Sequence, residues 1–186
     1  MEIKDFVKVY DNTLPKDMFQ NLMRVIDTLE FSPSTIDEGE TNFDVRRTYV
    51  KALNNTSKSM TEVHWNNILS RNFSGHIEKY FKDLKTFIPV AGTNIIDVQL
   101  LKYENSGFYN YHVDHFASAP RTMTCLMFLN TDYEGGELCF RDINGENEWC
   151  IEKAPARMVV FPSTFLFPHT VKPVKGKRLS IVAWSL

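Results

Sequence analysis

The stretch from Tyr103 to His115 reads Tyr-Glu-Asn-Ser-Gly-Phe-Tyr-Asn-Tyr-His-Val-Asp-His and sets an imidazole and a carboxylate two residues apart, at His112 and Asp114. In an extended chain, side chains two apart point to the same side of the sheet, so this pair makes a two-toothed metal clamp. His169, in the run Phe-Pro-His-Thr-Val-Lys-Pro-Val, is the candidate third ligand. Two histidines and one carboxylate on one face of a ferrous ion leave the opposite positions open for a cosubstrate and for oxygen.

The remaining histidines and the cysteines read differently. His115 would complete the His-x-Asp-His string of dinuclear metallohydrolases, but the preceding histidine of that pattern falls at Asn110, which cannot replace it. His115 is therefore expected in a loop or behind the ligands. His64 and His76 fall in helical stretches and read as surface or packing groups. Cys125, Cys139 and Cys150 are odd in number and lack a C-x-x-C spacing, which argues against a disulfide framework or a structural zinc site and for free thiols packed near strands.

The elements that must position these groups follow from periodicity. Residues 3 to 10 alternate as a short strand, and a helix should begin near Pro15, with Phe19, Leu22, Met23, Ile26 and Leu29 on one face. Ser32 to Thr41 reads as a loop, Val45 to Val50 as a strand, and Thr61 to Phe87 as helical, with Gly75 as a point of division into two helices. Beyond Asn94 short apolar or alternating runs follow one another: Ile95 to Tyr103, Tyr109 to Asp114, Thr122 to Leu129, Glu137 to Arg141, Trp149 to Glu152, Arg157 to Phe161, His169 to Val174 and Leu179 to Ser185. Gly135-Gly136 and Asn144-Gly145 read as hairpin turns. The pattern predicts a mainly β fold with N-terminal helices, a two-sheet jelly roll with helices packed against it.

A chain of 186 residues fits one domain, with 1–93 as helical support and substrate loop and 94–186 as the core that carries the metal site. The formal net charge of −2 gives no electrostatic footprint for nucleic acid. No basic-then-apolar opening is present, and no apolar run approaches the ~20 residues of a membrane helix, so a soluble, cytoplasmic protein without membrane contact is expected. No oligomeric state is legible, and a monomer is compatible with the sequence.

Residues 95 to 186 resemble the Fe(II)/2-oxoglutarate-dependent dioxygenase superfamily, whose core is a double-stranded β-helix, and within it the prolyl 4-hydroxylase-like branch. His112, Asp114, His169 and, nine positions on, Arg178 stand where that family has its motif. Tyr103, Gly107, Tyr109 and His112, the Phe128-Leu129-Asn130 run before Gly135-Gly136-Glu137-Leu138, and Phe161-Pro162 add to the match. The Pro155-Ala156-Arg157 turn departs from the glycine usual there.

The resemblance implies Fe(II), 2-oxoglutarate and oxygen as cofactors, with ascorbate as an optional fourth. It assigns the far carboxylate of 2-oxoglutarate to Arg178, a role for which a bidentate guanidinium is suited, with Ser180 two residues along the same strand and the Tyr103 hydroxyl as further contacts. Lys177 should face away. Phe128 stands where some prolyl hydroxylases have a tyrosine, so that contact is missing. The acidic loop from Thr35 to Phe43 and the strand that follows occupy the place of a mobile finger that closes on a peptide. Arg47, Arg121, Tyr109 and Trp184 are then candidate substrate contacts.

The implied reaction is oxidative decarboxylation of 2-oxoglutarate to succinate and carbon dioxide, coupled to hydroxylation of a C–H bond, foremost at a prolyl residue of a peptide or protein. A small-molecule or free amino acid substrate, or a non-catalytic binding module, is the alternative. Related halogenases carry a small residue where Asp114 stands, which favours hydroxylation.

Overall fold

The structure, a computed structural model, describes residues 2–35, 42–85 and 93–186. After a 3-10 turn at Ile3–Phe6, the chain forms β1 (Lys8–Tyr10), α1 (Lys16–Ile26), β2 (Ser32–Pro33), β3 (Arg46–Arg47), β4 (Tyr49–Leu53) and α2 (Met60–Asp83). The second half supplies β5 (Ile95–Tyr103), β6 (Phe108–His112), β7 (Met123–Phe128), β8 (Glu134–Gly135) and β9 (Leu138–Arg141). It closes with β10 (Glu148–Ile151), β11 (Met158–Pro162), β12 (His169–Val171), β13 (Val174–Lys175) and β14 (Arg178–Ser185).

The strands form a seven-stranded sheet in the order β1-β11-β7-β14-β5-β4-β2 and a five-stranded sheet in the order β10-β9-β12-β6-β3. Every pairing is antiparallel. From β5 onward the chain passes repeatedly from one large sheet to the other, the path of a jelly roll. All eight residues of β14 are buried, and they divide by parity. Leu179, Ile181 and Ala183 join the cluster that packs on Leu22 and Ile26 of α1 and on Trp65, Leu69, Phe73 and Ile77 of α2. Val182 and Trp184 face the other way, into a cluster with Tyr103 of β5 and Val171 of β12. One side of the large sheet is thus given to helix packing and the other to the inter-sheet space that holds the site.

Several sequence expectations are corrected. Gly75 does not divide α2, because a Cβ there would meet nothing within 4 Å and no partner requires a break. The expected strand from Val45 to Val50 is two strands in different sheets: β3 pairs with β6, β4 pairs with β5, and the buried Thr48 lies between them. Residues 3 to 10 extend only from Lys8. Asn144-Gly145 does close the β9–β10 hairpin, with Gly145 at φ 76° and its N–H donating to the Asp142 carbonyl. Gly135-Gly136 closes none, since β8 pairs with the distant β13.

Cys139 and Cys150 are joined by a disulfide rather than free, because the hairpin register sets them directly opposite each other, leaving Cys125 as a buried free thiol. Ala156 takes the left-handed conformation (φ 55°) that its turn demands, and its carbonyl accepts from both the backbone N–H and the hydroxyl of Thr13. Of the acidic loop from Thr35 to Phe43, residues 36–41 lie outside the described residues. No described helix is long and apolar enough to cross a membrane.

Candidate metal centre and anion pocket

β6 and β12 lie side by side, and their register matches His169 with His112 but Val171 with Tyr109, so β6 carries one extra residue there, a β-bulge. The bulge breaks strict alternation and turns Tyr109, three residues before His112, to the same inner face. Asp114 lies beyond the end of β6, in a bend, so its side chain is aimed by partners and not by the pleat. Thr124 Oγ1 donates to Asp114 Oδ2 at 2.7 Å and is itself 2.8 Å from Ser163 Oγ.

His112 Nε2 lies 3.7 Å from Asp114 Oδ1, and His169 Nε2 lies 3.4 Å from Asp114 Oδ2. A divalent ion roughly 2.0–2.2 Å from each ligand fits donors spaced in this way. The Nδ1 atoms of His112 and His169 sit 2.8 and 3.1 Å from the carbonyls of Asn110 and Phe167, which assigns the proton to Nδ1 and leaves the Nε2 lone pairs to converge. Burial, followed by the charge of His169, pushes His112 down to about 3, so its imidazole is neutral as a ligand must be. Burial alone would raise Asp114, but His169, His112 and the Thr124 hydroxyl outweigh it and hold the carboxyl below its ordinary range.

Deeper in the inter-sheet space Arg178 is completely buried. Its Nη1 donates to Ser180 Oγ at 2.8 Å, whereas Nε and Nη2 have no hydrogen-bond partner. The guanidinium lies 5.0 Å over the Tyr103 ring and 5.3 Å over the Phe128 ring. A buried cation with two free donors is matched by a planar anion that accepts both, as the far carboxylate of 2-oxoglutarate would. Lys177 is exposed and turned away, its carbonyl accepting from Asn130 Nδ2.

Sequence reasoning missed Tyr133, whose buried hydroxyl also lacks a partner. Burial raises this phenol, and the Arg178 charge opposes the rise, which puts the two groups side by side. The available signal was the glycine pair that follows. A Cβ on Gly136 would come within 3.0 Å of both Arg178 Cδ and Tyr133 Cε2, so the backbone must pass close to the cation.

Toward the mouth, Tyr109 stacks on His112 with ring centroids 3.5 Å apart and an interplanar angle of 16°. Arg46 lies over the Tyr109 ring at 4.5 Å from its centroid. Arg47, one of the expected substrate contacts, is exposed with its guanidinium by Phe108, and the alternation of β3 gives the inward position to Arg46. Gly107 is needed for this approach, as a Cβ there would stand 2.7 Å from the Arg47 carbonyl oxygen. Arg121 lies 3.7 Å over Trp184, with Nη2 4.0 Å from Asp97 Oδ2. His115 is exposed, its Nδ1 2.9 Å from the Arg121 carbonyl, and is no ligand of the triad.

Residues 98–186 match the family model of the 2OG-Fe(II) oxygenase superfamily. Over 92 residues the chain is 33% identical to a PKHD-type hydroxylase of Idiomarina loihiensis, covering 47% of this chain and 40% of that protein. Over 93 residues it is 38% identical to a PKHD-type hydroxylase of Polaromonas sp., covering 42% of this chain and 39% of that protein. The match therefore spans about two fifths of the length of these curated relatives.

The fold extends the likeness to the whole chain. A prolyl hydroxylase from Trichoplax adhaerens, solved with a hypoxia inducible factor peptide fragment, superposes with a TM-score of 0.77 at 17% identity, covering 97% of this chain and 83% of that one. A Pseudomonas putida prolyl-4-hydroxylase gives 0.72 at 19% identity, covering 96% and 91%. Residues 98–186, which carry the triad and Arg178, are similar to the 2OG-Fe(II) oxygenase superfamily, and the architecture around them is a fold shared with solved prolyl hydroxylases. Fe(II), 2-oxoglutarate and oxygen are the cofactors that this match implies, and the His112, Asp114 and His169 donor set fits a metal ion.

Proposed function

We propose that the protein is an Fe(II)- and 2-oxoglutarate-dependent hydroxylase acting on a prolyl residue of a polypeptide. The observation that carries this reading is the pairing, between the same two sheets, of a His-Asp-His triad with a buried guanidinium that has two free donors. When bound, iron and 2-oxoglutarate supply the oxidising chemistry, with succinate and carbon dioxide as products.

The chain's own part is positional. Arg178 and Ser180 anchor the far carboxylate of the cosubstrate, and Thr124 fixes the Asp114 carboxylate. Phe140 and Phe161, with rings 5.7 and 5.0 Å from His169, keep the back of the triad dry. Tyr109 and Trp184 flank the open side, where a flat saturated ring can lie. Prolyl hydroxylases among the similar folds, one of them solved with a peptide, support the substrate class. The N-terminal half serves the same unit, since β1, β2 and β4 extend the large sheet and β3 the small one.

The test is succinate formation on addition of Fe(II) and 2-oxoglutarate, with mass spectrometry of proline-containing peptides from the same reaction. Alanine in place of His112, Asp114 or His169 should abolish iron binding and turnover while circular dichroism stays native. Wild-type turnover in all three variants would refute the assignment.

A further inference from the structure

Two cations at the mouth of the metal pocket have no part in the chemistry above. Arg46 lies on Tyr109, which lies on His112; Arg121 lies on Trp184. Each guanidinium lies over an aromatic ring, a contact that engages none of its N–H donors with a carboxylate. In both side chains the Nε atom is buried and has no hydrogen-bond partner.

The nearby carboxylates do not meet this demand. Arg46 makes no ion pair among the described residues. Arg121 reaches Asp97 only at 4.0 Å, while Asp97 already accepts from Gln99 Nε2 at 2.7 Å. Burial also pushes the Asp97 carboxyl up, toward its neutral form. Asp114 is committed to the metal. Burial lowers Arg121, the charges of Asp114 and Asp97 oppose that, and the charge of Arg46 adds a smaller lowering, so two guanidiniums sense each other across a site in which neither is hydrogen-bonded to a carboxylate. An anion received between such forks gains charge-assisted hydrogen bonds from both.

We infer, resting on the hydroxylase reading, that Arg46 and Arg121 form a carboxylate subsite beside the metal, so that the substrate presents a carboxylate next to the ring to be hydroxylated. An acidic side chain adjacent to the proline in a polypeptide and the free carboxylate of a terminal prolyl residue offer the same chemistry. The experiment separates them.

Protein loaded with Zn(II) and 2-oxoglutarate, and so held from turnover, is titrated with capped peptides that carry Glu or Gln on either side of a proline. It is titrated in parallel with N-acetyl-proline and its amide, and binding is read by calorimetry and from the arginine Nε–H resonances. The carboxylate member of a pair should bind ~10-fold tighter or better than its amide twin, the gain expected of hydrogen bonds to a charged group. It should shift the Nε–H signals of Arg46 and Arg121, and its advantage should shrink to about twofold in Arg46→Gln and Arg121→Gln and return in part in the Lys variants. Preference for the acidic peptide identifies a side-chain carboxylate, and preference for N-acetyl-proline a terminal one; either supports the subsite. Equal or absent binding of both twins, with 2-oxoglutarate still bound by the wild type, overturns the subsite and leaves the hydroxylase reading intact. Failure of the wild type to bind 2-oxoglutarate overturns that reading and the subsite with it.

Discussion

A guanidinium that is fully buried but bonded through only one of its nitrogens burdens the fold until an anion meets the other two. Arg178→Ala should therefore weaken 2-oxoglutarate binding far more than it disturbs the rest of the site. Losing one member of a buried charge-assisted pair costs ~2–5 kcal/mol, which at about 1.4 kcal/mol per decade is roughly one and a half to three and a half orders of magnitude in apparent affinity. Lys177→Ala should leave the affinity near wild type, because that side chain is exposed and turned outward. A titration of turnover against 2-oxoglutarate concentration checks both, and equal losses would refute the division of labour along β14.

The elements carry two further expectations. Gly75 sits inside α2 with open space where a Cβ would stand, so Gly75→Ala should stabilise the protein by roughly 0.5–1 kcal/mol, read from the midpoint of urea unfolding. The Cys139–Cys150 bond closes a short hairpin loop, and its removal by Cys150→Ala should lower stability by up to about 3 kcal/mol, read in the same assay. These elements also show what the sequence made legible. His112, Asp114 and His169 could be picked out because ligand types are few and their spacing is local, and the strand runs from Ile95 onward show plainly as apolar bursts between turn residues. The β6 bulge, the passage of the chain from one sheet to the other at Thr48, the pairing of Cys139 with Cys150 and the inward turn of Arg46 were not legible. Each depends on which distant strand lies alongside, and a register shift of one residue reverses every side chain's face. Asp114 stands beside the two histidines for a reason other than strand alternation, since it lies past the end of the strand and Thr124 sets its aim.

At the scale of the whole molecule, the large sheet separates two kinds of obligation by the pleat of a single strand. Along β14 the odd positions 179, 181 and 183 are pressed against the helices, while the even positions 178, 180, 182 and 184 border the inter-sheet space. A library of every substitution along this strand, sorted once for abundance in cells and once for succinate output, should therefore give two profiles of period two that run out of phase. Abundance should fall at the odd positions, where a lost or added methylene disturbs a close-packed core, and output per molecule should fall at the even ones. In-phase profiles would show that the strand cannot keep the two obligations apart. If they are out of phase, random change along β14 meets two separate filters in alternation, and variants with altered chemistry but intact folding can arise at every second residue.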